Sequence, residues 1–189
     1  LAPNEGANQL HGGPGGFSEV VYTATTDAPT VVNLTTHPYF ILGDATIEDH
    51  VATVAAGRFT PTRDDLIPTG EIAPVDGTGL DLRAGRQLGE AIATVRDGGI
   101  ANKGGIDHNL VVDGEGMREH VRLTGPSGLT LVVRSDAPAV QLYTAEHLGR
   151  AGLAIEPQGF PDAPNHPGFP PVDLLPGQEY RATTQWLID

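Results

Sequence analysis

Short runs of alternating apolar and polar residues, separated by turns, are the feature that most constrains the fold of this 189-residue chain. Alternation with a period of two is typical of β-strands that bury one face. The intervening segments carry typical turn sequences, such as Asp113-Gly114 and Pro126-Ser127-Gly128. The segments that we predict as strands are 20–25, 31–37, 50–55, 108–112, 120–124, 129–134, 139–144 and 180–188.

Helical periodicity is weak by comparison, and segment 84–92 is the only one that we predict as a helix. The 25 glycines and 16 prolines also favour many turns over long helices. Many short strands with few helices indicate an all-β fold, either an antiparallel sandwich or a barrel. The length is that of one domain, so we expect a single domain over residues 1–189.

Composition excludes several classes of function. The net charge is −13 with only 11 Lys and Arg, which argues against partners such as nucleic acid or an anionic membrane surface. The chain has no cysteine, so disulfides, thiolate catalysis and Cys-type zinc sites are excluded, and we expect a cytoplasmic location. The seven histidines show no His-x-His or His-Glu-x-x-His spacing, so no metal site is predicted.

Segment 153–171 is the strongest candidate for a functional site. It begins as a short apolar strand and continues as a loop that is rich in proline, which presets backbone angles without a helix. Glu156 lies at the junction of the two parts. A carboxylate in this position suits a general base that faces a polar, carbon-rich ligand such as a sugar. The alternative is an ordinary solvated glutamate at a strand end.

Four further residues are candidates. His11 opens a glycine-rich segment, where it could lie beneath a ligand or belong to a flexible turn. His37 ends the predicted strand 31–37, either as a functional histidine or as a buried structural one. Asp107 and Gln141 lie on predicted strand faces, where they could bind sugar hydroxyl groups or be surface residues.

Six segments together resemble the aldose 1-epimerases (galactose mutarotases), in the order found in that family. This resemblance implies a large, mostly antiparallel β-sandwich with an open sugar cleft. The matching segments are Asn8-Gln-Leu-His11-Gly-Gly with Gly16-Phe17; residues 25–40, which contain Asn33-Leu-Thr-Thr-His37-Pro-Tyr39-Phe40; Ile67-Pro-Thr-Gly-Glu71; Gly105-Ile-Asp107-His108-Asn109; Val140-Gln141-Leu-Tyr143-Thr144; and Glu156-Pro-Gln158 through Pro171 to Tyr180.

The resemblance also implies an activity and roles for the candidates. The activity is interconversion of the α and β anomers of an aldose such as galactose or glucose, with no cofactor or metal. Glu156 matches the general base, His37 the general acid and His11 the second active-site histidine. Asp107 and Gln141 match residues that bind sugar hydroxyl groups. With an ordinary pKa of about 4.3, Glu156 would be fully ionised at neutral pH.

The chain also departs from the family pattern. Relatives carry a β-rich region ahead of the His-Gly-Gly segment, with an Arg that contacts the sugar, and several more strands between the positions of Phe17 and Tyr22. We therefore expect an incomplete sandwich with exposed apolar faces and unpaired edges, unless further residues or a partner complete it. A sugar-binding module without turnover and a hexose-6-phosphate 1-epimerase remain as alternatives; the latter would need a basic cluster in the cleft.

Overall fold

The computed structural model describes residues 16–100 and 102–189, and it is built almost entirely of β-strands. One α-helix, α1 (Leu88–Asp97), and two short 3-10 turns, Glu146–Leu148 and Ala163–Asn165, are the helical elements within this part of the chain. The strands are β1 (Phe17–Ala24), β2 (Thr30–Val31), β3 (Tyr39–Phe40), β4 (Val51–Val54), β5 (Ala56–Thr60), β6 (Ala73–Pro74), β7 (Arg86–Gln87), β8 (Asp107–Val112), β9 (Arg118–Thr124), β10 (Thr130–Ser135), β11 (Ala139–Tyr143), β12 (Leu153–Gln158), β13 (Asp173–Leu174) and β14 (Tyr180–Ile188).

The strands form two six-stranded antiparallel sheets that pack face to face as a sandwich. The first sheet has the order β1-β14-β10-β9-β4-β7 and the second the order β3-β12-β11-β8-β5-β6, while β13 and β2 form a separate pair. Leu123 and Leu131 of the first sheet share one buried apolar core with Leu110, Leu142 and Ile155 of the second. The all-β antiparallel sandwich predicted from the sequence is therefore confirmed.

Most of the predicted strands are present, and the turn sequences lie where strands reverse. Thr124 and Thr130 end the β9–β10 hairpin, and Gly128 in its turn has a φ of 88°. Glycine adopts this left-handed conformation without the steric cost that a side chain would add. The turn after β8 likewise places Gly114 at a φ of 84°.

The predicted strand 31–37 is wrong beyond its first residue. Only Thr30–Val31 is a strand, and the chain then runs without regular structure to β3. The reason is that the alternating pattern finds no neighbouring strand along most of its length. Instead, the backbone N–H of Val32 donates to the carbonyl of Val172, 2.9 Å away.

The predicted helix 84–92 begins too early and ends too early. Residues 86–87 belong to β7, and α1 runs from Leu88 to Asp97. The buried residues of α1 are Leu88, Ala91, Ile92 and Val95, which follow the spacing of one helical face. Gly98 and Gly99 follow the helix, as is common where helices end.

Strands β1 and β3 are edge strands of the two sheets, and residues of both line a cleft. The cleft has a volume of about 690 Å³, and its lining is mostly apolar. Phe17, Phe40 and Trp186 line it, and His37 lies at its border. The exposed apolar faces that we expected from the shortened sequence stay a prediction.

Within residues 16–100 and 102–189, no helix combines the length and apolar character that crossing a bilayer would require. The cytoplasmic location and the single domain over residues 1–189 stay predictions.

Candidate active site

Glu156 and His37 form the centre of the candidate site. Glu156 lies in β12, where its neighbour Ile155 points into the apolar core and Glu156 therefore faces the opposite side of the sheet. The Nε2 atom of His37 lies 3.2 Å from Oε1 of Glu156. The Glu156 side chain is 9% exposed and that of His37 is 48% exposed. A buried carboxylate is thus paired with an imidazole that solvent and ligands reach.

Gln141 and Asp107 continue the site across the sheet. Gln141 lies directly opposite Glu156 in the β11–β12 ladder, and residues opposite one another share a face. The Nε2 atom of Gln141 donates to Oδ1 of Asp107 over 2.7 Å. Lys103 Nζ lies 3.8 Å from the other oxygen of Asp107. The structure therefore brings Asp107, Gln141, Glu156 and His37 into one polar surface.

A group of aromatic rings borders this surface. The rings of His37 and Tyr39 lie 5.0 Å apart, and Tyr143 lies 6.4 Å from each of them, measured between ring centroids. Tyr143 also stacks on His147 at 5.7 Å and shares a 2.6 Å hydrogen bond between its hydroxyl and Nδ1. Flat rings beside carboxylates and amides suit a ligand with both C–H and O–H groups, because the rings contact the C–H faces and the polar groups bind the hydroxyls.

Side-chain hydrogen bonds hold the irregular segment that carries His37. The Nδ2 atom of Asn33 donates to the carbonyl of Gly159 over 3.1 Å, and Oδ1 of Asn33 accepts from the Gly159 N–H over 2.7 Å. Gly159 follows β12, the strand that carries Glu156. Asn33 thereby ties the segment that leads to the imidazole to the strand that carries the carboxylate. The predicted strand 31–37 would place Asn33 and His37 on one face, and this placement is wrong because the strand ends at Val31.

Burial changes the acid–base chemistry of Glu156. Desolvation raises the pKa of its carboxyl group to about 7, His37 acts to lower it, and Asp107 adds to the rise. The expectation that Glu156 is fully ionised at neutral pH is therefore wrong. A pKa near the working pH is the condition under which a general base is most effective.

Comparison with known proteins identifies the family. The family model described as aldose 1-epimerase matches residues 15–186. The chain belongs to this family. It is 38% identical over 188 residues to the galactose mutarotase of Homo sapiens, with 90% of the chain and 53% of that protein covered. It is 28% identical over 251 residues to the aldose 1-epimerase of Escherichia coli, with 98% of the chain and 72% of that protein covered.

Solved structures of aldose 1-epimerases and their homologues share the fold. An aldose epimerase homologue from C. elegans has a TM-score of 0.81 at 29% identity. The match covers 92% of this chain and 56% of the homologue. A galactose 1-epimerase from Lactobacillus acidophilus has a TM-score of 0.78 at 24% identity. The match covers 92% of this chain and 53% of that protein. This likeness supports the mutarotase-like sandwich that the sequence predicted.

The chain spans about half the length of the human relative that it matches. The alignment with the galactose mutarotase of Sus scrofa runs over 250 positions, although the chain has 189 residues. That relative therefore carries residues within the aligned region that have no counterpart here. This agrees with the internal shortening predicted from the motifs.

Of the five site residues predicted for this aldose 1-epimerase family member, four lie in the described part of the chain and converge. His11 lies outside the described residues. No role for Tyr39 or Tyr143 followed from the sequence, although both belong to the matching motifs. Tyr143 lies two residues after Gln141 in β11 and so shares its face, which is a signal that the strand prediction already contained.

Among residues 16–100 and 102–189, no three His, Asp or Glu side chains lie together in a way that could hold a metal ion. Chemistry without a metal stays a prediction, and the acid–base pair of Glu156 and His37 is the reactive pair that the described residues offer.

The raised pKa of Glu156 predicts how stability changes with pH. A carboxyl whose folded pKa lies above its unfolded value of 4.5 binds its proton more tightly in the folded state. The contribution of this carboxyl group to the stability of the fold is therefore full below pH 4.5, and it disappears as pH rises through 7. The uncharged Glu156→Gln variant should be as stable as the wild type at pH 4.5, and more stable at pH 8 by on the order of 2 kcal/mol, or roughly 4–8 °C in Tm.

Thermal melts of both proteins between pH 4 and pH 8 measure this difference. Glu115→Gln removes an exposed carboxylate in the turn between β8 and β9, outside the candidate site, and serves as the control. A Tm gap for Glu156→Gln that stays constant across the range would show that Glu156 keeps an ordinary pKa.

Proposed function

We propose that this aldose 1-epimerase family member interconverts the α and β anomers of a hexose such as galactose or glucose. The observation that carries the proposal is the His37–Glu156 pair, with 3.2 Å between nitrogen and oxygen, beside the hydrogen-bonded Gln141 and Asp107. The names of the relatives support the same activity, since they are galactose mutarotases and aldose 1-epimerases.

The closeness of acid and base fits the reaction. Ring opening removes a proton from the anomeric hydroxyl and adds a proton to the ring oxygen, and both of these oxygens are bonded to C1. An acid and a base that act on one carbon must therefore lie near each other. His37 Nε2 and Glu156 Oε1 meet this condition.

The reaction then proceeds by proton transfers that the two residues share. Glu156 takes the proton of the anomeric hydroxyl while His37 donates one to the ring oxygen, and the C1–ring oxygen bond breaks to give the open aldehyde. Rotation about C1–C2 presents the other face of the carbonyl. Closure reverses both transfers. Glu156 is then a carboxylate again, and His37 carries its proton again.

The remaining residues hold the sugar while C1 reacts. Asp107 and Gln141 bind hydroxyl groups of the ring, and Tyr39 and Tyr143 contact its C–H groups. His11 is proposed as the second active-site histidine. A hexose phosphate fits this surface less well, because Lys103 is the cation beside Asp107 and the other cation of the neighbouring loop, Arg63, is paired with Asp65.

Polarimetry on freshly dissolved α-galactose and α-glucose tests the proposal. We expect the protein to speed the decay of optical rotation in proportion to its concentration, with no metal or cofactor added. Calorimetric titration with galactose separates the alternative: a sugar-binding module binds galactose but leaves the spontaneous rate of rotation change unaltered. That result would contradict the proposed activity.

A further inference from the structure

A row of polar side chains extends the candidate site beyond Gln141. Glu156 in β12 lies opposite Gln141 in β11, Gln141 opposite Asn109 in β8, and Asn109 opposite Thr60 in β5. Residues opposite one another share a face of the sheet, so the four side chains point to the same side. With strands about 4.8 Å apart, the row spans roughly 14 Å. The row begins at the acid–base pair and ends remote from it.

A recess of about 90 Å³ lies at the remote end of this row. Polar groups form one side of it, and Leu66, Pro68 and Pro161 form the other. The polar residues that line it are Thr60, Thr62, Asp107, Asn109 and Gln141. A single water needs about 10–15 Å³ of such space. The recess therefore admits a hydroxyl group with its carbon, but not a whole pyranose ring.

Two residues that line the recess each have a side-chain oxygen with no hydrogen-bond donor among the described residues. These oxygens are Oδ1 of Asn109 and Oε1 of Gln141, and both are buried. The amide nitrogens of the same side chains are used, since Asn109 donates to Thr60 Oγ1 over 3.3 Å and Gln141 donates to Asp107 over 2.7 Å. Leaving a buried acceptor unpaired costs about 1–3 kcal/mol. The recess is thus suited to a ligand group that donates hydrogen bonds.

Asn109 differs from a surface asparagine in its burial. It is only 3% exposed. Its neighbours in β8, His108 and Leu110, point to the opposite side of the sheet. The amide is also held in place, because its nitrogen donates to Thr60 Oγ1. A fixed, unpaired acceptor is a means of selecting ligands that carry a donor at one position.

We propose that Asn109 is a substrate-binding residue that accepts a hydrogen bond from a sugar hydroxyl on the side of the ring away from C1. Thr60 positions Asn109 by holding its amide nitrogen. This inference rests on the proposed function and narrows its substrate class to aldoses that carry that hydroxyl group. Sugars that lack it bind with the Asn109 oxygen unpaired.

The test compares Asn109→Leu with the wild type on galactose and on its 2-, 3-, 4- and 6-deoxy derivatives. Calorimetry measures binding and polarimetry measures turnover. We expect Asn109→Leu to weaken galactose binding about tenfold, since one hydrogen bond to a buried acceptor is lost. One deoxy sugar should bind equally weakly to both proteins, because it lacks the hydroxyl that Asn109 binds.

Thr184→Val is the matched control, because Thr184 is a buried polar residue of the other sheet. It should bind all five sugars as the wild type does. If Asn109→Leu shows no cooperative melt, Thr60→Val takes its place: it keeps the Asn109 oxygen but frees the amide, so it should reduce the preference for galactose over that one deoxy sugar.

The outcomes separate the two proposals. An equal loss for all sugars, or no loss, overturns the role of Asn109 while activity on galactose stands. In another outcome, Asn109→Leu loses binding selectively while the wild type leaves the change of optical rotation unaltered. That result supports the role of Asn109 and overturns the proposed activity. A wild-type protein that binds none of the sugars overturns both.

Discussion

Glu156→Gln should lower kcat/KM for the mutarotation of galactose by about 10²–10⁴-fold, since a general base contributes a factor of this order. The amide has nearly the same shape as the carboxylate, so the sheet pairing with Gln141 remains. What it lacks is the ability to accept the proton of the anomeric hydroxyl. Polarimetric rates at several protein concentrations measure the loss.

Two results accompany this loss if Glu156 is the base. The wild-type rate should rise as pH increases through about 7, where burial places the pKa of Glu156. Glu115→Gln should keep the wild-type rate and the same pH dependence. A Glu156→Gln protein that retains more than a tenth of the wild-type rate would remove Glu156 from the mechanism.

His37→Ala should lower kcat/KM by a similar factor, about 10²–10⁴-fold, because the ring oxygen then loses its proton donor. It should also change the pH dependence of the remaining rate. His37 acts to lower the pKa of Glu156, so its removal lets that pKa rise and moves the acidic limb of the rate profile to higher pH. Rates from pH 5 to pH 9 measure both effects.

The chain offers a matched control for His37. His166 is also paired with a carboxylate, with 3.0 Å between its Nε2 and Oδ2 of Asp162, but it lies outside the candidate site. His166→Ala should keep the wild-type rate within a few-fold and leave the pH dependence unchanged. Equal losses in His37→Ala and His166→Ala would indicate general destabilisation in place of a role in proton transfer.

The sequence predicted the strands of the core more accurately than the segments at the edges. Strands β8, β11 and β14 coincide with predicted segments to within one residue, and each of them has a neighbouring strand on both sides. Segment 31–37 shows a similar alternation, yet most of it is not a strand. A strand needs a neighbour for its hydrogen bonds, and alternation along one segment carries no information about that neighbour.

The candidate site, like the strands, could be predicted from the sequence only in part. The chemical types of Glu156, His37, Asp107 and Gln141 and the family motifs around them made these residues candidates before any coordinates. The recess at Asn109 was not predicted, because it depends on loop residues such as Leu66 and Pro161 that cover one end of the row. These residues are distant from Asn109 in sequence, and no local pattern places them over it.

The sequence by itself determined the all-β class, the turns and the residue types of an acid–base site, since these follow from local patterns and from side-chain chemistry. Only the tertiary structure decided that His37 meets Glu156, that a 14 Å row leads from Glu156 to Thr60, and that the pKa of Glu156 is raised. The reason is physical: strand pairing and burial join residues that are far apart along the chain, and the pKa of a carboxyl depends on the water and charges around it.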